Sequence, residues 1–131
     1  MSPNMRTIIG ILIGTLSAVA TVAIAEAISH QLIAFPPFDE STKHQYVDSI
    51  SSSAKSSIVA GWGVASFVGA AVAALIAKRS FQAIVWVIAL VLSASIIYNH
   101  VLLPHPAWML ALGVGLVVLG AWLGSRIVRH T

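Results

Sequence analysis

Four long apolar runs dominate the pattern of hydrophobic and polar positions along the chain. They cover about residues 7–33, 57–77, 81–103 and 107–125. A helix needs roughly 20 apolar residues to cross the hydrocarbon of a bilayer, and lipid offers backbone polar groups no partner, so runs of this length are helices. The pattern therefore predicts an all-α integral membrane protein, a four-transmembrane-helix bundle in which residues 1–131 form a single domain.

The first run also has a second interpretation. Arg6, the apolar stretch after it and the small residues Ala23 and Ala25 resemble a signal peptide with a cleavage site. Both readings are compatible with the sequence. We take the run as the first membrane helix.

One long polar connection, about residues 34–56, separates the first two runs. Pro36-Pro37 makes it turn, and three apolar residues are spaced for one face of a short helix: Tyr46, Val47 and Ile50. Asp39 or Ser41 is placed to cap that helix. We expect a short helix near the membrane surface, with a flexible polar loop as the alternative. Ser51-Ser52-Ser53 favours some flexibility before the second span.

The composition agrees with a surface that does not face water. Hydrophobic residues make up 58% of the chain and charged residues 8%, with a mean hydropathy of +0.93, whereas soluble domains are about a quarter charged. The absence of cysteine excludes disulfides and thiolate metal sites. A net charge of +3 does not indicate a nucleic-acid partner. The lipid bilayer is the expected partner, together with a homo-oligomer or a larger membrane complex.

The distribution of basic residues predicts the orientation of the four spans. Both termini and the link between the second and third spans lie on one side, which holds five of the seven basic residues: Arg6, Lys78, Arg79, Arg126 and Arg129. The positive-inside rule then places both termini in the cytoplasm. The opposite, outer side holds Lys43 and Lys55.

Small residues predict how the spans pack. The second run carries a row at four-residue intervals, Gly61, Ala65, Gly69, Ala73 and Ala77, which suits close helix approach. Similar residues occur in the first run (Gly10, Gly14, Ala18) and in the fourth (Gly120, Gly124). We expect these rows to meet within the bundle. The third run is bulkier and is expected to face more lipid, for example at Leu92.

The larger aromatic residues fit the same layout. Trp62, Tyr98 and Trp108 are predicted near the outer interface and Trp122 near the inner one. Amphipathic rings concentrate at those levels of a membrane. We interpret all four as interfacial anchors.

Glu26 and His30 lie one helical turn apart at the end of the first run, so both face one side of the helix. Glu26 is about 28 Å along that helix, close to the outer edge of the hydrocarbon. Asn99 and His100 end the third run at the same level, and His105 lies in the tight turn that follows. We therefore expect Glu26 and His30 to face into the bundle or under the outer connection, toward Asn99 and His100, and not into lipid.

Three hypotheses explain this polar cluster. In the first, it is a structural network of helix-end and loop hydrogen bonds. In the second, Glu26, His30, His100 and His105 bind a divalent transition metal such as zinc, iron or copper, with Asn99 in support, although no complete motif such as HExxH is present. In the third, the acid and a histidine form a proton relay or a catalytic pair. The sequence identifies no catalytic residue and no substrate.

Three pieces of the sequence resemble one family. They are Glu26-Ala27-x-x-His30, then Pro36-Pro37, and later Asn99, Pro104-His105-Pro106 and Trp108. The pattern resembles a family of small, uncharacterised bacterial four-span inner-membrane proteins. Phe38 departs from it, since the family has a glycine after the prolines. The resemblance implies a bacterial inner-membrane location and a four-span fold, but no activity.

The function expected from the sequence is therefore broad. It is that of a small inner-membrane binding or accessory protein with a polar cluster at its outer face. The alternative is a metal-dependent membrane enzyme or a proton-coupled transporter that uses the same residues, and we favour the non-enzymatic reading.

Overall fold

The protein folds into five α-helices, and the computed structural model describes residues 1–78 and 81–130, with side chains except those of residues 81, 129 and 130. The helices are α1 (Pro3–Leu32), α2 (Lys43–Ser49), α3 (Ser52–Ala77), α4 (Phe81–Leu102) and α5 (Ala107–Ser125), with 3₁₀ turns at Glu40–Thr42 and Ile127–His130. Four of them, α1, α3, α4 and α5, are long and apolar enough to cross a membrane. The predicted all-α, four-span fold is confirmed.

Serine side chains define where two of these helices begin. The hydroxyl of Ser2 accepts a hydrogen bond from the Met5 amide, and that of Ser51 accepts one from the Ala54 amide. These bonds satisfy amide groups that would otherwise have no partner in the first turn. Because Ser51 is the cap and the next two serines form the first turn of α3, the second span begins at Ser52, before the predicted start at residue 57.

The connection between α1 and α3 contains the expected short helix. Asp39 caps the 3₁₀ turn that leads into α2, since its carboxylate accepts from the Ser41 amide at 3.0 Å. Val47 and Ile50 are buried, and the Tyr46 hydroxyl donates to the Pro36 carbonyl at 3.3 Å. This connection folds back over the end of the bundle where α1 ends and α3 begins. We call that end the outer end and the opposite one the inner end.

Two seams of small residues attach α1 and α5 to α3. In the first, Gly10, Gly14 and Ala18 of α1 are buried, and a Cβ atom at Gly10 would lie 2.7 Å from the Ala73 carbonyl oxygen. In the second, the residues in contact are Gly120 and Gly124 of α5 with Gly63, Ser66 and Phe67 of α3. The predicted rows therefore do meet within the chain.

A hydrogen bond between helices adds to the second seam. The hydroxyl of Ser66, which is fully buried, donates to the backbone carbonyl of Val117 in α5. A buried hydroxyl needs such a partner, and in a membrane bundle an interhelical bond of this kind also holds two helices together. The seam is thus fixed by both close backbone approach and one polar contact.

These seams make α3 the central helix. α1 and α5 both pack on α3, α4 packs chiefly on α5, and α1 touches α4 only sparsely. The expectation that the third span faces more lipid than the others is wrong, since α1 has the smallest buried share of the four spans. Leu92 of α4, expected to face lipid, is 8% exposed.

Two short links join the last three spans. In the link between the second and third spans, Arg79 and Ser80 lie outside the described residues. Lys78 ends α3 in the left-handed conformation, with φ of 57°. At the outer end, α4 stops at Leu102, before Pro104, and Pro106 is the N-cap of α5.

Candidate functional site

A cavity of about 220 Å³ lies at the outer end, between the long helices and the α1–α3 connection. The side chains that give it chemical character are Glu26, His30, Tyr46, Trp62, Asn99 and His105. We call this space the outer cavity. It brings together residues from α1, α2, α3, α4 and the α4–α5 turn, and it contains most of the polar cluster predicted from the sequence.

The register of the first seam places Glu26 at the cavity. Ala25 meets Gly61 of α3 at the outer end of the seam, so the next residue projects beside α3 and toward the cavity. His30, one turn later, faces the same space, and its ring lies 4.1 Å from the Phe35 ring between centroids. Both side chains line the outer cavity under the connection, and both remain exposed, so they are not enclosed within the bundle.

The polar groups of the cavity have few partners of their own. Among the residues that the structure describes, neither the Glu26 carboxylate nor the Asn99 amide makes a side-chain hydrogen bond or an ion pair. The Nδ1 atom of His105 is buried and also has no partner there. A buried polar atom such as this Nδ1 usually has a partner. The Glu26 and Asn99 side chains are exposed, so water or a bound molecule can reach them.

His100 does not line the outer cavity. Its Nδ1 atom accepts a hydrogen bond from the His105 amide at 3.0 Å, which closes the Pro104–Pro106 turn. The two imidazole rings lie 6.2 Å apart. The expectation that Glu26 and His30 face His100 is thus replaced by a cavity in which Asn99 and His105 oppose them.

The metal hypothesis receives no geometric support. Among the described side chains, those of residues 1–78 and 82–128, no three His, Asp or Glu are grouped so that they could hold one ion. Glu26, His30, His100 and His105 are therefore not arranged as a ligand set, and binding of zinc, iron or copper stays a prediction. His44, the other histidine of the outer end, is exposed on α2.

His105 has an environment that opposes protonation. Burial lowers the pKa of this imidazole below its usual value, the neighbouring His100 lowers it further, and the Leu103 backbone partly offsets both effects. Removal from water disfavours the charged form of a histidine. His105 therefore stays neutral at pH 7 and offers the cavity a hydrogen-bonding ring without a charge.

Trp62 and Tyr46 are site residues that the sequence pattern did not identify, and Trp62 is the more deeply buried of the two. The predicted interfacial anchor is in fact 9% exposed, its indole lies against Gly113 of α5, and its ring centroid is 6.0 Å from that of His105. Tyr98, Trp108 and Trp122 do keep exposed side chains. Nothing in the sequence pairs Trp62 with Gly113, because the contact depends on how α3 and α5 are aligned.

A second space opens sideways from the outer cavity. It lies between α1 and α4, measures about 260 Å³, and is lined by apolar residues that include Val19, Ala23, Leu92 and Ile96. Glu26, Trp62 and Asn99 line both spaces. We call it the lateral groove. Because α1 and α4 touch only sparsely, it runs along the outside of the bundle at the depth of the apolar spans.

Comparisons of this chain with protein-family models, curated proteins and solved structures find no match. The resemblance to four-span bacterial proteins stays a prediction.

Proposed function

We propose that this is a membrane-embedded binding protein for an amphipathic molecule with a cationic group. One observation supports this most directly. Glu26 and Asn99 lie at the junction of a polar cavity and an apolar groove, and their side chains have no partner among the described residues. A molecule that fits both spaces needs a polar end and a hydrocarbon end.

The charge of the outer cavity favours a cationic polar end. Glu26 is its acidic residue, and no lysine or arginine is among the residues that line it. Lys43, the basic residue of the α1–α3 connection, forms an ion pair with Glu40 at 3.1 Å. An ionised carboxylate at the edge of hydrocarbon is costly unless water or a counter-ion accompanies it. An ammonium group on the ligand would supply that counter-ion, with Asn99 as a hydrogen-bonding neighbour.

The lateral groove favours a hydrocarbon part. Its walls are aliphatic apart from Glu26, Trp62, Asn99 and Ser95, and burial of apolar surface contributes about 25 cal/mol per Å². The opening between α1 and α4 would let such a ligand enter from the bilayer. Trp62 would contact both parts of it.

We also propose that the protein resides in a bacterial inner membrane with both termini in the cytoplasm. The basic residues concentrate at the inner end, whereas all four acids lie between residues 26 and 48. The positive-inside rule supports this orientation. The outer cavity would then open toward the extracytoplasmic side.

The experiment compares hexylamine with hexanol, which share a chain and differ in charge. Binding to the purified protein in lipid nanodiscs would be measured by isothermal titration calorimetry. We expect hexylamine to bind more tightly, and Glu26→Gln to weaken it about tenfold, as loss of a charge-assisted bond predicts. Partition into lipid is the same for all variants, so their differences report the protein site.

Asp48→Asn is the matched control, because it removes an exposed carboxylate from the α1–α3 connection. It should leave hexylamine affinity unchanged. Equal affinity for the amine and the alcohol, or equal losses in Glu26→Gln and Asp48→Asn, would refute the proposal.

A further inference from the structure

A cleft between α4 and α5 lies at the inner end, away from the outer cavity. Its volume is about 570 Å³, and its lining includes Gln82, Trp86, Gly115, Leu119, Trp122 and Arg126. We call it the inner cleft. It combines a cationic end at Arg126 with apolar walls that continue along the two helices.

The Arg126 side chain is held in place, but its guanidinium group is not fully hydrogen-bonded. Its guanidinium carbon lies 3.9 Å from the centroid of the Trp122 ring, a cation–π arrangement. Its Nε atom is buried and has no hydrogen-bond partner in the part of the chain that the structure describes. The side chain is therefore fixed by stacking while a strong donor at the cleft lacks an acceptor.

No acidic side chain of the protein can neutralise Arg126. All four acids belong to residues 26–48, and the earliest of them, Glu26, follows Ala25, which meets Gly61 of α3. Arg126 follows Gly124, which meets Phe67 and Ala71 of α3. Ten residues of helix, from Gly61 to Ala71, separate these levels by about 15 Å. The counter-charge must therefore come from outside the set of acidic side chains.

The rest of the cleft is suited to a hydrocarbon chain. Trp86 is 66% exposed and Leu119 is 48% exposed, so large apolar surface is open there. A Cβ atom at Gly115 would meet nothing within 4 Å, which leaves the floor of the cleft open. Gly115 precedes Arg126 by eleven residues, about 16 Å along α5. A free anion would use only the Arg126 end of this space.

We propose that the inner cleft binds an anionic phospholipid. The lipid phosphate accepts hydrogen bonds from the Arg126 guanidinium, including its Nε–H, and one acyl chain lies along α4 and α5 past Leu119 toward Gly115. Arginine suits phosphate because its planar fork donates several parallel bonds. Basic pockets between spans at the cytoplasmic side are a known type of lipid headgroup site.

Native mass spectrometry of delipidated protein tests this with phosphatidylglycerol and phosphatidylcholine of identical acyl chains. Wild type should retain phosphatidylglycerol about tenfold more tightly, and Arg126→Gln should remove most of that preference. Arg6→Gln, which removes an exposed positive charge at the same end, is the matched control and should keep it. Trp86→Ala should weaken both lipids, since it removes an exposed part of the apolar wall.

Three outcomes would overturn the proposal. Equal retention of the two lipids would show that the headgroup charge does not affect binding. Equal losses in Arg126→Gln and Arg6→Gln would show diffuse attraction to the basic end. If millimolar inorganic phosphate displaced phosphatidylglycerol from wild type, the cleft would be an ion site in which the acyl chain has no role. Thermal unfolding of each variant in the same detergent identifies any variant that is misfolded. If Arg126→Gln is misfolded, Arg126→Lys replaces it, and we expect an intermediate loss of the preference for phosphatidylglycerol.

Discussion

Single residues at the outer end divide into those that build the site and those that hold the turn beside it. Trp62 forms a wall shared by the outer cavity and the lateral groove. His100 instead closes the α4–α5 turn by accepting from the His105 amide. His105 joins the two roles, because its backbone belongs to the turn and its ring lines the cavity.

The lowered pKa of His105 makes folding stability depend on pH. Below about pH 6.5 the unfolded chain takes up a proton at His105 that the folded protein resists, so stability should fall until the pH passes the folded-state pKa. At higher pH the ring is neutral in both states and this effect is absent. Between pH 7.5 and 5.5, the thermal unfolding midpoint of His105→Gln should therefore decrease less than that of wild type.

The groups facing His105 include His100, Glu26 and His30, and these remain in the variant. The comparison with wild type thus isolates the one ring. His44→Gln, which removes an exposed imidazole on α2, is the control and should keep the wild-type slope. A wild-type slope in His105→Gln would show that burial of this ring does not contribute to the pH dependence.

At the scale of elements, α3 joins α1 and α5 through two glycine seams. In water, apolar burial would drive helices together, but lipid is as apolar as a leucine side chain, so close packing must do it. The carbonyl oxygen of Gly69 lies too close to Gly14 to leave room for a Cβ atom there. The first seam therefore depends on the absence of one side chain at a specific position.

Gly14→Ala and Gly115→Ala make the same chemical change in two different settings. In Gly14→Ala the new methyl group meets the Gly69 carbonyl and the Ala73 side chain, so α1 must move away from α3. Overpacking of this kind costs about 1–3 kcal/mol. In Gly115→Ala the methyl group enters open space, and alanine favours helix more than glycine does.

We expect a clearly lower unfolding midpoint for Gly14→Ala and an unchanged or slightly higher one for Gly115→Ala. Thermal unfolding followed by size-exclusion chromatography in one detergent measures both. Similar midpoints for the two variants would contradict the role assigned to the seam.

The whole molecule is polarised along its long direction. Acids and the outer cavity lie at one end, while Arg6, Lys78 and Arg126 lie at the other. This asymmetry orients a bundle in a membrane, since basic residues stay on the cytoplasmic side. In the proposed orientation, the two proposed ligands would lie in opposite leaflets, a cationic one at the outer end and an anionic one at the inner end.

The proposed orientation can be measured because the chain has no cysteine. Ser2→Cys and Ser52→Cys introduce single thiols at opposite ends of the bundle. An impermeant maleimide added to intact spheroplasts should label Ser52→Cys only, and both variants after lysis. Labelling of Ser2→Cys but not Ser52→Cys in the intact cells would reverse the topology.

The sequence by itself determined the four spans and the face shared by Glu26 and His30, whereas for the residues after Pro36-Pro37 it left a short helix and a flexible loop as alternatives. These follow from local rules: a run of about 20 apolar residues must be helical in lipid, and residues four apart share a helix face. The packing role of the small-residue rows was also predictable from the sequence, because only small residues such as Gly14 and Gly69 allow two helix backbones to touch.

Only the tertiary structure decided which helix faces which. The sequence does not distinguish an apolar residue that contacts lipid from one that contacts another helix. Leu92 was therefore expected to face lipid but is buried. Trp62 was expected at the membrane interface but lies against Gly113. The alignment of α3 with α5 fixes both the site wall at Trp62 and the level of Arg126. Such alignments depend on contacts between residues about 50 positions apart, as in the Ser66–Val117 bond, and no local pattern encodes them.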